Sequence, residues 1–166
     1  MALSPKQSLL AIGGLILVMG GASLLLRQEL ETPSMLKPGD AQVVAQGLKV
    51  YEAQCASCHG VNLEGQANWQ KRLPDGRLPA PPHDESGHTW HHPGEVLFNI
   101  TKYGPQHYAG ADYASDMPKY EGLLSDADII AVLSYIKSTW PPRIKGTHNK
   151  IEEEAAAKAA QQRQGG

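Results

Sequence analysis

The chain has 166 residues, two cysteines, one phenylalanine and a formal net charge of −2 at neutral pH. That length holds one domain of ordinary size, two cysteines allow no disulfide framework, and a near-balanced charge excludes the concentrated basic surface that nucleic acid requires. Residues 41–146 carry nine Lys/Arg against eleven Asp/Glu, so no strongly basic docking face is evident there either.

Residues 8–26 (SLLAIGGLILVMGGASLLL) contain no charged side chain. As a helix they would span about 28 Å, enough to cross a hydrocarbon core. The competing reading is a cleaved signal peptide, with residues 9–19 as its apolar stretch and Gly20-Gly21-Ala22 as a small-residue cut site. Leu24, Leu25 and Leu26 continue the apolar run past that cut, so residues 1–26 are expected to be a retained single-pass anchor. Lys6 ahead of the run places the N-terminus in the cytoplasm and the remaining chain outside, although Arg27 at the far end opposes this. Gly13, Gly14, Gly20 and Gly21 recur at i and i+7 and form a smooth stripe where a second helix can approach, but glycine is also simply common in such helices.

Residues 27–40 mix charge with Pro33, Pro38 and Gly39 and read as a linker. From Ala41, the spacing of Val43, Val44, Leu48 and Tyr51 predicts a helix that runs into Cys55-Ala56-Ser57-Cys58-His59. This C-x-x-C-H run is the attachment signature of c-type haem. Two thiols about one helical turn apart can both add to the vinyl groups of one porphyrin edge, and the next imidazole then reaches the iron. A redox dithiol would instead expect a βαβ setting of apolar strands, and a tetrahedral zinc site would need ligands for which no third cysteine exists.

Residues 60–87 are broken by Gly60, Gly65, Pro74, Gly76, Pro79, Pro81, Pro82 and Gly87. A loop that long is expected to pack on something, and a porphyrin face would serve. Val96, Phe98, Ile100 and Tyr103 predict a short helix over residues 95–103, stopped by Gly104-Pro105. Residues 106–122 read as irregular. Ser125 and the acidic Asp126 and Asp128 then open the strongest soluble helix, which Pro141-Pro142 stops. Residues 147–166, alanine-rich and polar all round, are expected to be a mobile tail, with a solvated or partner-docking helix as the alternatives.

An iron held by His59 has a sixth position, whose occupant separates an electron carrier from a substrate binder. Met1, Met19 and Met35 fall in terminal segments, which leaves Met117, whose neighbour Pro118 biases it toward an extended conformation. Its alternative role is an ordinary gap-filler in a core. Rival ligands are His83, His88, His91, His92 and His107. His88 and His91 suggest a second metal site only if Gly87–His92 were helical; Gly87 and Pro93-Gly94 favour a turn whose ring N–H groups hold propionates.

Residues 41–140 resemble a class I c-type cytochrome in Gly47-x-x-x-Tyr51, Cys55-x-x-Cys58-His59, Asp116-Met117-Pro118 and a final helix carrying Tyr135. The resemblance implies an all-α fold: a small cytochrome c-like bundle around one covalent haem c, here preceded by the single transmembrane helix at 8–26. It implies close crossing of the first and last helices at Gly47 and Tyr135, and iron ligation by His59 and Met117. It also implies a proline carbonyl on the proximal imidazole, matched by Pro81 or Pro82 with Pro82 taken as the binding residue, and a tryptophan near a propionate, matched by Trp90. The anchor, the His-rich turn and the tail place the chain nearer to membrane-anchored mono-haem cytochromes of bacterial respiratory chains than to freely diffusing ones. The expected architecture is therefore an anchor at 1–26, a linker at 27–40, a haem domain at 41–146 and a tail at 147–166.

The expected function is single-electron transfer between membrane-bound donor and acceptor complexes, on the periplasmic face of the inner membrane, without enzymatic chemistry or a small-molecule substrate. The bilayer is then a partner and nucleic acid is not. One alternative is a fixed haem subunit of a larger oxidase or quinol-oxidising complex. Another is a haem enzyme or gas sensor with a labile sixth ligand, using His91, His107 or Tyr108.

Overall fold

The computed structural model describes residues 34–165, so the expected anchor at residues 1–26 and the start of the expected linker lie outside the described residues. Among the described residues there are helices and loops but no strand, as an all-α expectation requires. No helix among them is long and apolar enough to cross a membrane.

Helix α1 (Ala41–Gln54) starts at Asp40, whose carboxylate accepts the backbone N–H groups of Gln42 and Val43 at 3.0 and 3.1 Å. Two of the orphan donors of the first turn are thereby satisfied. Its buried face is Gly47, Val50 and Tyr51, and a four-residue helix, α2 (Ala56–His59), follows directly. Helix α3 (Gly94–Tyr103) ends at Gly104, whose φ of 87° a side chain would strain.

Residues 106–122, expected to be irregular throughout, open with one helical turn, α4 (Gln106–Ala109). Gly104 ends one helix and Pro105, already at φ −58°, starts the next, so a breaker pair in the sequence acts as stop and start at once. Helix α5 (Asp126–Thr139) begins at Ser125, whose Oγ accepts from the Asp128 N–H at 3.1 Å. It buries Ile129, Val132, Leu133 and Ile136 and hands over to Trp140, which is 2% exposed.

The close contact that organises these helices is the crossing of α1 and α5. A Cβ on Gly47 would run into the Ala131 carbonyl and lie 2.8 Å from the Tyr135 Cβ, so the two backbones touch where only glycine fits. Tyr51, one turn on, packs its ring 5.5 Å from that of Tyr135 and is fully buried.

The expected tail is a helix. Helix α6 (Pro142–Gln164) is continuous over 23 residues, and the expected boundary between residues 146 and 147 falls inside it. Pro141-Pro142 ends α5 but places Pro142 in the first turn of α6, where a missing N–H costs nothing. The run of alanines and an Arg163 in the last turn favour the helix locally. Its base is anchored by Ile144 and His148, which are 1% and 0% exposed, an i, i+4 pair too short to register as an amphipathic face. The end of the expected linker is also packed: Leu36 is 3% exposed, and the Lys37 N–H donates to Ser134 Oγ at 2.9 Å.

His148 Nε2 lies 3.0 Å from the His92 carbonyl, which can only accept, so Nε2 carries the proton and Nδ1 is a bare, unpartnered nitrogen. Burial, then the nearby Lys137, lowers this imidazole to about 4, against the opposing pull of the His92 carbonyl. The folded state therefore binds fewer protons than the unfolded one. Stability is full above about pH 6.5 and falls toward pH 4 at up to about 1.4 kcal/mol per pH unit. Denaturant unfolding across that window is expected to show stability falling with acid, and His148→Gln to reduce the slope by the share of His148, the other buried imidazoles supplying the rest. Separately, Gly47→Ala is expected to cost about 1–3 kcal/mol in the same measurement, because neither backbone at the crossing can withdraw.

Candidate functional site

Cys55 is at once the last cap of α1 and the first of α2, and the hydrogen bonds from Cys55 N to the Tyr51 carbonyl and from His59 N to the Cys55 carbonyl, both 2.9 Å, keep the motif in one helical turn. Both thiols are free; Cys55 is half-buried and Cys58 exposed. Burial, then the neighbouring Cys58, pushes the Cys55 thiol up to about 11, the reverse of the depressed value that makes a redox dithiol reactive. Gly60 ends the turn at φ 83°, and the chain folds back so that Gly65 N donates to the His59 carbonyl at 2.8 Å and the Tyr51 hydroxyl to the Gly60 carbonyl at 2.8 Å.

His59 is buried, and its Nδ1 lies 2.8 Å from the Pro81 carbonyl. That oxygen can only accept, so the proton sits on Nδ1 and Nε2 keeps its lone pair. Burial lowers the His59 pKa, with the carbonyl pulling the other way, and the ring is neutral at neutral pH, as a metal ligand must be. The carbonyl partner is therefore Pro81 and not Pro82. Two adjacent prolines carry the same local signal, and only the path of the loop decides which oxygen faces the ring. The Pro82 carbonyl instead accepts from Thr89 Oγ1 at 3.4 Å, and a Cβ on Gly65 would lie 2.8 Å from Pro82 Cδ, which shows how closely the loop is folded here.

The imidazole of His83 stacks on that of His59, with ring centroids 4.0 Å apart and planes 23° from parallel. Its Nδ1 is 2.8 Å from Thr89 Oγ1, and its carbonyl accepts the Trp140 indole N–H at 2.8 Å. Burial, then the His59 and His88 imidazoles, holds the His83 pKa well below the ordinary value. A ring lying against the face of His59 is beside that ligand, so His83 is no candidate for the opposite side of an iron. Nothing local in the sequence distinguishes His83 from the other six histidines; Thr89 and Trp140, which fix it, carry no signal either.

Among the described residues no group of three or more His, Cys, Asp or Glu is placed to hold an ion, in the His-rich turn or elsewhere. The rings of that turn pair with tryptophans, Trp69 with His88 at 5.4 Å and Trp90 with His91 at 3.7 Å. The Trp90 indole N–H donates to the Glu85 carbonyl at 3.3 Å.

Met117 is half-buried in a stretch without regular structure, and its N–H donates to Ser115 Oγ at 3.1 Å. The stretch is fastened on two sides. Arg77 Nε lies 2.9 Å from the Asp116 carboxylate, an ion pair without hydrogen-bond geometry, and the Arg72 guanidinium sits 5.7 Å from the Tyr113 ring. At its other end the Tyr120 hydroxyl donates to the Gln54 carbonyl at 2.7 Å, one residue before Cys55. His107 and Tyr108 are exposed, and the Tyr108 hydroxyl accepts from Asn99 Nδ2 at 3.1 Å.

A family model described as Cytochrome c matches residues 44–140, more than half of the chain. No curated protein and no solved structure matches it. The matched family implies covalently attached haem c with its iron, and the residues present fit it: two free thiols on one turn, followed by a neutral imidazole with one nitrogen tied and the other bare. Mass spectrometry of the denatured, haem-loaded chain is expected to show the mass of one added haem and no titratable thiol. Replacing both Cys55 and Cys58 by Ala should abolish covalent haem staining entirely.

Proposed function

The chain belongs to the cytochrome c family, and from that premise we propose that it is a class I, mono-haem electron carrier, tethered to the periplasmic face of a bacterial inner membrane and exchanging single electrons with membrane-bound complexes of a respiratory chain. The observation that carries this reading is the state of His59: a buried, neutral imidazole whose Nδ1–H is committed to the Pro81 carbonyl. Such a ligand has no proton to gain or lose as iron changes charge, and it is held in place by the fold.

Haem c supplies one-electron exchange between ferric and ferrous iron. Cys55 and Cys58 would hold its porphyrin edge, His59 Nε2 would ligate the iron from one side and the Met117 thioether from the other. The Arg77–Asp116 pair, the Arg72–Tyr113 contact and the Tyr120–Gln54 hydrogen bond restrain the stretch that carries Met117. Keeping the same two ligands in both oxidation states keeps the rearrangement per electron small, and a neutral thioether favours the ferrous form and raises the potential. A segment anchored at residues 8–26 would confine diffusion to the membrane plane and raise the effective concentration at membrane-bound donor and acceptor complexes.

A second reading, a fixed haem subunit of a larger oxidase or quinol-oxidising complex, is favoured by helix α6, which extends beyond the family match and whose outer half is largely exposed. Mild detergent extraction separates the two: the haem protein recovered alone supports the carrier, and recovery only with stoichiometric partners supports the subunit.

The ferric protein is expected to show a methionine-to-iron charge-transfer band. Met117→Ala should abolish it, lower the midpoint potential and open the ferrous iron to carbon monoxide. An unchanged band in Met117→Ala would overturn thioether ligation and, with carbon monoxide binding by the unsubstituted protein, favour an enzyme or sensor.

A further inference from the structure

The hydrogen bond from His59 Nδ1 to the Pro81 carbonyl restrains rotation of the imidazole about its Cβ–Cγ bond, but such a bond tolerates misalignment, so the ring plane keeps some freedom. A second contact, against the face of the ring, removes that remaining freedom. His83 makes it, 4.0 Å away and 23° from parallel. We propose that His83 is a positioning residue for the proximal iron ligand: it sets the plane of the His59 imidazole, and through that plane the electronic structure and potential of the bound haem iron.

The geometry of His83 suits this role better than mere packing does. Both contacts to His59 come from one tripeptide, the Pro81 carbonyl in the plane of the ring and the His83 imidazole on its face. The His83 backbone is held on both sides, its N–H donating to the Leu63 carbonyl at 2.8 Å and its carbonyl accepting from Trp140 Nε1 at 2.8 Å. Its side-chain torsion is held by Thr89. The buried Thr89 hydroxyl lies 2.8 Å from His83 Nδ1 and 3.4 Å from the Pro82 carbonyl, so it holds the edge of the His83 ring whichever of the two carries the shared proton. An aliphatic residue would fill the same space but would keep its own rotamer freedom. A planar ring with one edge hydrogen-bonded does not.

The consequence follows from ligand-field symmetry. The plane of an axial imidazole decides which of two nearly equal iron orbitals holds the unpaired electron of a low-spin ferric haem, and hence how spin spreads around the porphyrin. Side chains that hold a metal's ligand tune the metal in this way without touching it. The chain of restraint runs from buried Trp140, at the end of α5, through His83 to His59.

The inference rests on His59 being the proximal ligand and is independent of what occupies the opposite side. Ferric holoprotein is to be compared as wild type, His83→Leu, His83→Phe and Thr89→Val, reading the paramagnetically shifted haem-methyl proton resonances, the midpoint potential and the methionine-to-iron band. His83→Leu is expected to change the spread or order of the methyl shifts and to displace the potential while leaving the band in place. Thr89→Val should move both in the same direction by less, and His83→Phe, which keeps a ring over His59, should restore most of the wild-type pattern. Wild-type methyl shifts in His83→Leu would overturn the proposal, and so would identical spectra of the Leu and Phe variants. Should the Leu variant fail to take up haem, Thr89→Val decides: wild-type methyl shifts and potential in that protein overturn it. Absence of the methionine band in the wild type would sink thioether ligation alone; cyanide added to the ferric proteins then keeps the iron low-spin, and the plane of His59 is still read from the methyl shifts.

Discussion

The hydrogen bond between His59 Nδ1 and the Pro81 carbonyl is the interaction on which the rest of the site depends. It commits one ring nitrogen and so defines the other as the ligand. It also ties the loop after the motif to the short helix that carries both thiols. Without it, a long loop broken by glycine and proline has no reason to return to the motif. With it, the same loop delivers His83 to the face of the ligand and gives Gly65 and Gly87 their close approach to Pro82.

The helices serve this arrangement by rigidity more than by chemistry. The α1–α5 crossing at Gly47 fixes where Tyr51 and Cys55 begin and where Trp140 ends. Tyr51 reaches back to the Gly60 carbonyl and Trp140 to that of His83, so the two crossing helices hold the loop from opposite ends. Each of these bonds joins a buried aromatic donor to a carbonyl that has no regular-structure partner. Leaving either unmade would strand a buried polar group at a cost of about 1–3 kcal/mol.

Helix α6 lies wholly outside the stretch that the family model matches. Its docking uses His148 under Trp140, with rings 5.1 Å apart, and the His92 carbonyl. The additional helix therefore touches the same tryptophan that restrains His83. The buried Lys137, lowered from its ordinary value by burial, and the Glu152 carboxylate 3.9 Å from His148 Nδ1 place charged groups at this joint rather than in the site itself.

Much of this protein was legible from residue order because the physics involved is local. A C-x-x-C-H run specifies its cofactor by spacing within one helical turn, and Gly104 and Ser125 mark helix ends through signals that need only neighbouring residues. Tertiary structure decided what depends on chain path. Pro81 and Pro82 are equivalent in sequence, and the loop's trajectory alone presents the Pro81 oxygen. His83 looked like one of several rival ligands and proves to be the partner of His59, because a stacking contact 24 positions away leaves no periodic trace. Helix α6 was read as a tail because its exposed surface dominates its composition, whereas two buried side chains at its base suffice to dock it once Trp140 and His92 are in place.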